Sequence, residues 1–196
     1  DVSGDIAVSL STLTTTAGPA LQLFSLTGGS VAVSRGAITA SSSVVKIADA
    51  VDSAGTVQLS GVTAVAGTAG IEVLGATFAG SIDIHGGSLT AGTGAAVSSS
   101  AAFSGSLVLR KAQVSSTGSH GVLLTGDLSG SVKVERGSVS GATGDGVQVN
   151  TVSGGSVLVQ GASVSGSATA LKIAGAADAT SSVRLTGATV LAGTGN

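Results

Sequence analysis

The sequence lacks cysteine, methionine, tryptophan and tyrosine, and its 196 residues include three phenylalanines and a single proline. Without cysteine, the chain has neither disulfides nor thiolate ligands for a metal. Globular cores usually obtain much of their buried area from aromatic side chains. The core of this protein must therefore be built from Val, Leu, Ile and Ala.

Charged residues and long apolar runs are also scarce. Charged residues make up 9% of the chain, the net charge is −2, and no basic tract is present. Because nucleic-acid binders neutralise phosphates with clustered Lys and Arg, we expect no nucleic-acid partner. No apolar run reaches the roughly 18 residues that a transmembrane helix needs, so we expect no membrane insertion. The first residue is Asp1 rather than Met, so we expect either a removed leader or a fragment.

The abundant features are glycine, with 32 residues, and regularly placed aliphatic residues that give a mean hydropathy of +0.58. Disordered chains lack such apolar residues, so the aliphatic residues indicate a folded array. The Gly of a "GSV" motif and its variants recurs with spacings of 25 or 26 residues. We number offsets within the repeat from this residue, which falls at Gly4, Gly29, Gly55, Gly80, Gly105, Gly130, Gly155 and Ser181.

Each repeat carries three short apolar segments. Offsets 2 and 4 hold large aliphatic residues in all eight repeats, as in Val132 and Val134, and the residue between them varies. Such alternation predicts a strand with one buried face. A second segment centres on offset 9, where Ala64 is the one weak member, and a third lies near offsets 16–19. The third segment is poor in the fourth repeat, "GAAVSSS".

Three strands this short cannot bury their apolar faces alone, so successive repeats must stack with equivalent strands in parallel. The prediction is an all-β fold: a single right-handed parallel β-helix, or β-solenoid, over residues 1–196. It would have about eight rungs, one per repeat, spaced about 4.8 Å apart. This pattern resembles pectin-lyase-like and filamentous-haemagglutinin-like surface proteins. The resemblance implies architecture but no particular activity.

Neither end of the chain has the polar repeat that usually caps a solenoid. The start, "DVSG", resembles the end of a repeat, and the chain stops at Asn196, before a third strand would begin. We therefore expect a fragment of a longer solenoid or a subunit that associates with itself head to tail along the axis. Folded-over ends that shield the terminal rungs are the alternative.

The offset grid brings some polar residues together. His85, Arg110 and Glu135 share offset 5 in consecutive repeats, with Asp83 and Lys133 beside them at offset 3. These five residues lie on the sheet that the first segments should form, here called sheet I, and this sheet I patch is a candidate binding site for a cell-surface glycan. The alternative is a solvated ladder of ion pairs.

Offset 15 places His120 beside Asp145. An Asp that orients a His is typical of a general base, but a corner that accepts short polar side chains is the simpler interpretation.

The acidic residues are too dispersed for two opposed carboxylates or for a calcium site. We therefore expect no enzymatic activity, no catalytic residues, no metal and no cofactor. The predicted function is that of an extracellular or cell-surface structural protein: a stalk, spacer, adhesin or filament subunit. A glycan-binding or polysaccharide-degrading β-helix is one alternative. Ice binding is another, because Ser and Thr flank the second strand at positions such as Ser88/Thr90, Ser138/Ser140 and Ser163/Ser165.

Overall fold

A computed structural model describes residues 2–9, 12–49, 55–175 and 177–193, and no helix occurs in these ranges. The strands, in chain order, are β1 (Asp5–Ser9), β2 (Thr12–Thr15), β3 (Leu21–Leu23), β4 (Ser30–Ser34), β5 (Ala37–Ala40), β6 (Val45–Ile47), β7 (Thr56–Ser60), β8 (Thr63–Ala66), β9 (Ile71–Val73), β10 (Thr77–Phe78), β11 (Ser81–His85), β12 (Ser88–Ala91), β13 (Val97–Ser99), β14 (Ala102–Phe103), β15 (Ser106–Arg110), β16 (Gln113–Ser116), β17 (Val122–Leu128), β18 (Ser131–Glu135), β19 (Ser138–Gly141), β20 (Val147–Val152), β21 (Ser156–Gln160), β22 (Ser163–Gly166), β23 (Leu171–Ile173), β24 (Ser182–Thr186) and β25 (Thr189–Ala192).

The strands form three parallel sheets, and each strand pairs with the equivalent strand of the next repeat. Sheet I contains the eight strands β1, β4, β7, β11, β15, β18, β21 and β24 in spatial order. Sheet II contains β2, β5, β8, β12, β16, β19, β22 and β25, and sheet III contains the remaining nine. The predicted parallel β-solenoid is confirmed, and the chain makes about seven full turns of about 25 residues. The strands β24 and β25 belong to the eighth repeat, and residues 194–196, which include the predicted stopping point, lie outside the described residues.

The apolar offsets point inward, as the alternation predicts. In the central rungs Ile82, Leu107 and Val132 lie side by side at offset 2 and are fully buried. The weak member of the second segment, Ala64, is also fully buried between Ile38 and Leu89. The poor third segment of the fourth repeat still forms β13, because β9 and β17 pair with it on both sides. Stacking on both neighbours therefore compensates for a weak strand sequence.

One interior column is not evident from the repeat pattern. It lies along sheet III at the ends of five repeats and consists, among the described residues, of buried Leu26, Phe78, Phe103, Leu128 and Val152. The rings of Phe78 and Phe103 stack with their centroids 4.7 Å apart and their planes 14° apart. Two of the strands in this column have only two residues each, which is too short for an alternation of apolar and polar residues to show.

The glycine that marks the repeat is required by close packing between rungs. A Cβ atom on Gly105 would overlap the carbonyl oxygen of Gly80, and one on Gly130 would overlap that of Gly105. Gly29 is restricted in the same way by Gly4, whereas a Cβ atom on Gly4 has open space around it. Since none of these four glycines has a positive φ, the constraint is steric contact and not backbone conformation.

We predict that Gly105→Ala destabilises the protein by about 1–3 kcal/mol, because the added methyl group must displace the backbone of the preceding rung. The matched control is Gly4→Ala, which should leave stability unchanged or raise it by up to about 1 kcal/mol through the smaller entropy of the unfolded chain. Urea unfolding followed by circular dichroism measures both. Equal stability of the two variants would contradict the steric explanation.

Candidate functional site

The sheet I patch is assembled as the offset grid predicts. His85 pairs in register with Arg110, which pairs with Glu135, on adjacent strands β11, β15 and β18. Asp83 and Lys133 lie on the same outward face and are separated by Val108. A shallow depression of about 180 Å³ beside the column is lined by His85, Arg110, Lys111, Glu135 and Arg136.

The patch contains one ion pair, and it runs diagonally across the two strands. The Nη2 atom of Arg110 donates to Oδ2 of Asp83 at 3.0 Å, although Glu135 is the direct register partner of Arg110. The Arg110 side chain is 45% exposed, so the pair stabilises the fold by only about 0–1 kcal/mol. The other carboxylate oxygen of Asp83, Oδ1, is buried and has no hydrogen-bond partner among the described residues. The alternative interpretation was a ladder of ion pairs, but the patch contains a single pair.

Next to the patch, the corner between sheets I and II contains cations in an unusual backbone conformation. The residue at offset 6 has a positive φ of 62° in Arg35, 51° in Lys111 and 54° in Arg136. Glycine fills the same position in four other rungs: Gly61, Gly86, Gly161 and Gly187. A side chain in this region raises the energy by about 1–2 kcal/mol, and Asn or Asp tolerate it best. In the described residues every non-glycine at this corner is nevertheless Lys or Arg.

The predicted contact between His120 and Asp145 forms, but its geometry differs from a base oriented by a carboxylate. The backbone N–H of Asp145 donates to Nδ1 of His120 at 2.9 Å. The neutral ring therefore carries its proton on Nε2, and Nδ1 is not available to donate to the carboxylate. Oδ2 of Asp145 lies 3.7 Å from that same Nδ1 atom and 3.8 Å from Nζ of Lys172.

The side chain of Asp145 is also more buried than we expect for a corner that accepts short polar side chains. The residue is 2% exposed, and its Oδ1 atom accepts the backbone N–H of Thr169 at 3.0 Å. The backbone N–H of Asp145 thus connects its rung to the rung before, and its side chain connects it to the rung after. This arrangement supports a structural role that the spacing alone did not reveal, because Thr169 and Lys172 lie at other offsets than Asp145.

Sheet II carries the hydroxyl face considered for ice binding. Thr90, Ser115, Ser140 and Ser165 follow one another in register, and the hydroxyls of Thr90 and Ser115 lie 3.3 Å apart. Val65 and Leu191 occupy the same column and are exposed. The hydroxyl column is therefore interrupted by apolar side chains, and ice binding stays a prediction.

Asp178 has a strongly shifted pKa at the connection between β23 and β24. Its Oδ1 atom accepts hydrogen bonds from the hydroxyls of Ser181 and Thr180 at 2.7 and 2.9 Å, and from the backbone N–H of Gly154 at 3.0 Å. These bonds favour the ionised form and lower the pKa of Asp178 from its ordinary value of 3.8 to about 2.

Neither a membrane-spanning helix nor a group of three or more His, Asp and Glu side chains suited to a metal occurs in the described ranges. Comparison with family models, with curated proteins and with solved structures finds no match to this chain. The structure shows a parallel β-solenoid, and the resemblance to pectin-lyase-like and filamentous-haemagglutinin-like proteins stays a prediction.

We predict that Asp145→Ala destabilises the protein by about 1–3 kcal/mol, because the amide of Thr169 loses its acceptor. Asp145→Asn retains an oxygen at that position and should be affected less. Urea unfolding at neutral pH compares the two variants with the parent protein. A parent-like stability of Asp145→Ala would exclude this structural role.

We predict that the Asp178 carboxyl titrates with a pKa of about 2 in a pH series of side-chain NMR spectra. Because the folded-state pKa lies below the ordinary value, the carboxylate contributes stability above pH 3.8, and this contribution disappears as the pH falls through about 2. The stability difference between the parent and Asp178→Asn should therefore shrink over that interval. A measured pKa near 3.8 would contradict the hydrogen-bonding arrangement.

Proposed function

We propose that this protein is a non-enzymatic structural element, a rigid rod segment of the kind used in extracellular stalks, adhesins and filaments. The observation that carries the proposal is the unbroken pairing of sheets I and II, in which all eight strands of each sheet follow in register. Backbone hydrogen bonds then run along the axis on two sides of a dry aliphatic interior. Such a coil resists bending and extension without disulfides or bound groups.

The terminal rungs support extension of the rod along its axis. At the C-terminal end, Val183 and Leu185 are 49% and 50% exposed. Their register partners one rung earlier, Val157 and Val159, are 1% and 0% exposed. In the described residues β24 and β25 each have a pairing partner on one side only. The last rung thus presents the aliphatic side chains and strand edges that every inner rung covers.

The occupant that we propose for this surface is the N-terminal rung of a second copy. At that end β1 has five residues, as β24 does, and β2 has four, as β25 does. Ile6 at offset 2 is 40% exposed, so interior aliphatic side chains are accessible along the axis at both ends. Pairing β24 of one copy with β1 of the next would repeat the contact that joins every rung to its neighbour. A head-to-tail contact of this kind does not close, so it produces filaments.

We predict that the purified protein forms rods whose length increases with concentration and that Leu185→Lys shortens them to single copies. The introduced ammonium would be buried between two apolar rungs in the stack, and burial of an unpaired charge is strongly unfavourable. In the isolated copy, the side chain is half exposed and reaches water. Electron microscopy and sedimentation velocity measure the rods.

The control is Thr186→Lys, which adds the same charge to the outward face of the same strand and should leave the rods intact. Equal shortening by both variants would indicate general charge repulsion and would contradict axial stacking. A parent protein that stays monomeric at the highest soluble concentration would also contradict it.

A further inference from the structure

A groove runs along the rod axis at the corner between sheets I and II. It has a volume of about 410 Å³ and spans four consecutive rungs, from the fifth to the eighth. At about 4.8 Å per rung, these rungs extend about 14 Å along the axis. The residues that line this corner groove are Lys111, Ala112, Gln113, Arg136, Gly137, Ser138, Gly161, Ala162, Ser163, Gly187 and Thr189.

Two unpaired cations stand at one end of the corner groove. Lys111 and Arg136 are exposed and occupy the same position in adjacent rungs. No carboxylate lies within 4 Å of either side-chain cation in the described part of the chain. Glu135 lines the neighbouring depression, and it too forms no ion pair with a described residue. The cations are therefore available to a ligand.

The backbone conformation shows that these cations are not needed for the fold. Both residues hold a positive φ that glycine adopts without strain, and glycine occupies that position in the next two rungs, at Gly161 and Gly187. A strained residue at a position where its neighbours are unstrained is a reason to look for a function. Here the two strained residues place positive charge at the end of a groove.

The floor and one wall of the groove supply further hydrogen-bonding groups. On the floor, the half-buried Gly137 has a backbone N–H that donates no hydrogen bond to any described residue. The wall carries the side chains of Gln113, Ser138, Ser163 and Thr189. The groove therefore offers amide, hydroxyl and cationic groups, and the hydroxyl and cationic groups repeat with the rung spacing.

We propose that the corner groove binds a linear acidic polysaccharide, whose carboxylate or sulfate groups pair with Lys111 and Arg136. An extended polymer matches a groove that is open along the axis. The sugar hydroxyls would bond to the polar wall. Nucleic acid is disfavoured because single strands bind through aromatic stacking, and no aromatic side chain lines the groove. The inference is independent of axial stacking, because it concerns the side of the rod rather than its ends.

The test compares Lys111→Gly and Arg136→Gly with Arg35→Gly. Each substitution removes one cation from the same corner position and introduces the residue that other rungs already have there. The melting temperature should stay equal or rise in all three variants, so misfolding cannot explain a loss of binding. Arg35 lies in the second rung, outside the groove, and it serves as the control of matched charge.

Binding is measured by titration calorimetry with hyaluronan oligosaccharides, which carry carboxylates, and with chondroitin sulfate. We expect at least one of the two to bind. Lys111→Gly and Arg136→Gly should each weaken that binding about five-fold, which is the limit for an exposed ion pair. The double variant should weaken it about 25-fold if the contributions add. Arg35→Gly should bind as the parent does.

Neutral laminarin oligosaccharides, polyglutamate and oligo(dT) are titrated in parallel. If neither acidic polysaccharide binds, the proposal is overturned. Equal weakening by Arg35→Gly also overturns it, because the effect would then reflect net charge. Comparable affinity for polyglutamate or oligo(dT) would show general attraction of polyanions, and would likewise exclude a polysaccharide site. If the protein stays monomeric but binds a polysaccharide at the groove, axial stacking is refuted and the groove proposal stands.

Discussion

Each strand of the central rungs in sheets I and II forms backbone hydrogen bonds to the strand at the same offset one rung earlier and one rung later, and this pairing governs the other features of the protein. Parallel pairing in register places like residues next to one another. Aliphatic residues at offsets 2 and 4 consequently merge into a continuous interior. The short strands are stable only within the stack, which explains how the chain folds with almost no aromatic residues.

The same pairing explains the residues that the sequence tolerates at each offset. Where two rungs approach closely, at Gly29, Gly105 and Gly130, a side chain would overlap the backbone of the preceding rung. Outward charges are few. They pair with a register partner, as Lys46 does with Glu72, or diagonally, as Arg110 does with Asp83.

The architecture was predictable because backbone register follows directly from the repeat period. The neighbours of His85, Arg110 and Glu135 followed from offsets alone and are confirmed. The side-chain contacts could not be predicted in the same way, because register does not determine that Arg110 pairs with Asp83 rather than with Glu135. The burial of Asp145 depends on contacts with two other rungs. The positive φ of Lys111 was not expected, because residues with long side chains rarely adopt this conformation. The candidate groove thus arises from backbone conformation, which the sequence pattern did not show.

Stability that comes from stacking must vary along the axis, because a terminal rung has one neighbour and a central rung has two. Hydrogen exchange of backbone amides in dilute protein measures this directly. We expect the strongest protection in β11, β15 and β18, with protection declining towards β1 and β24. Uniform protection from one end of sheet I to the other would contradict this expectation.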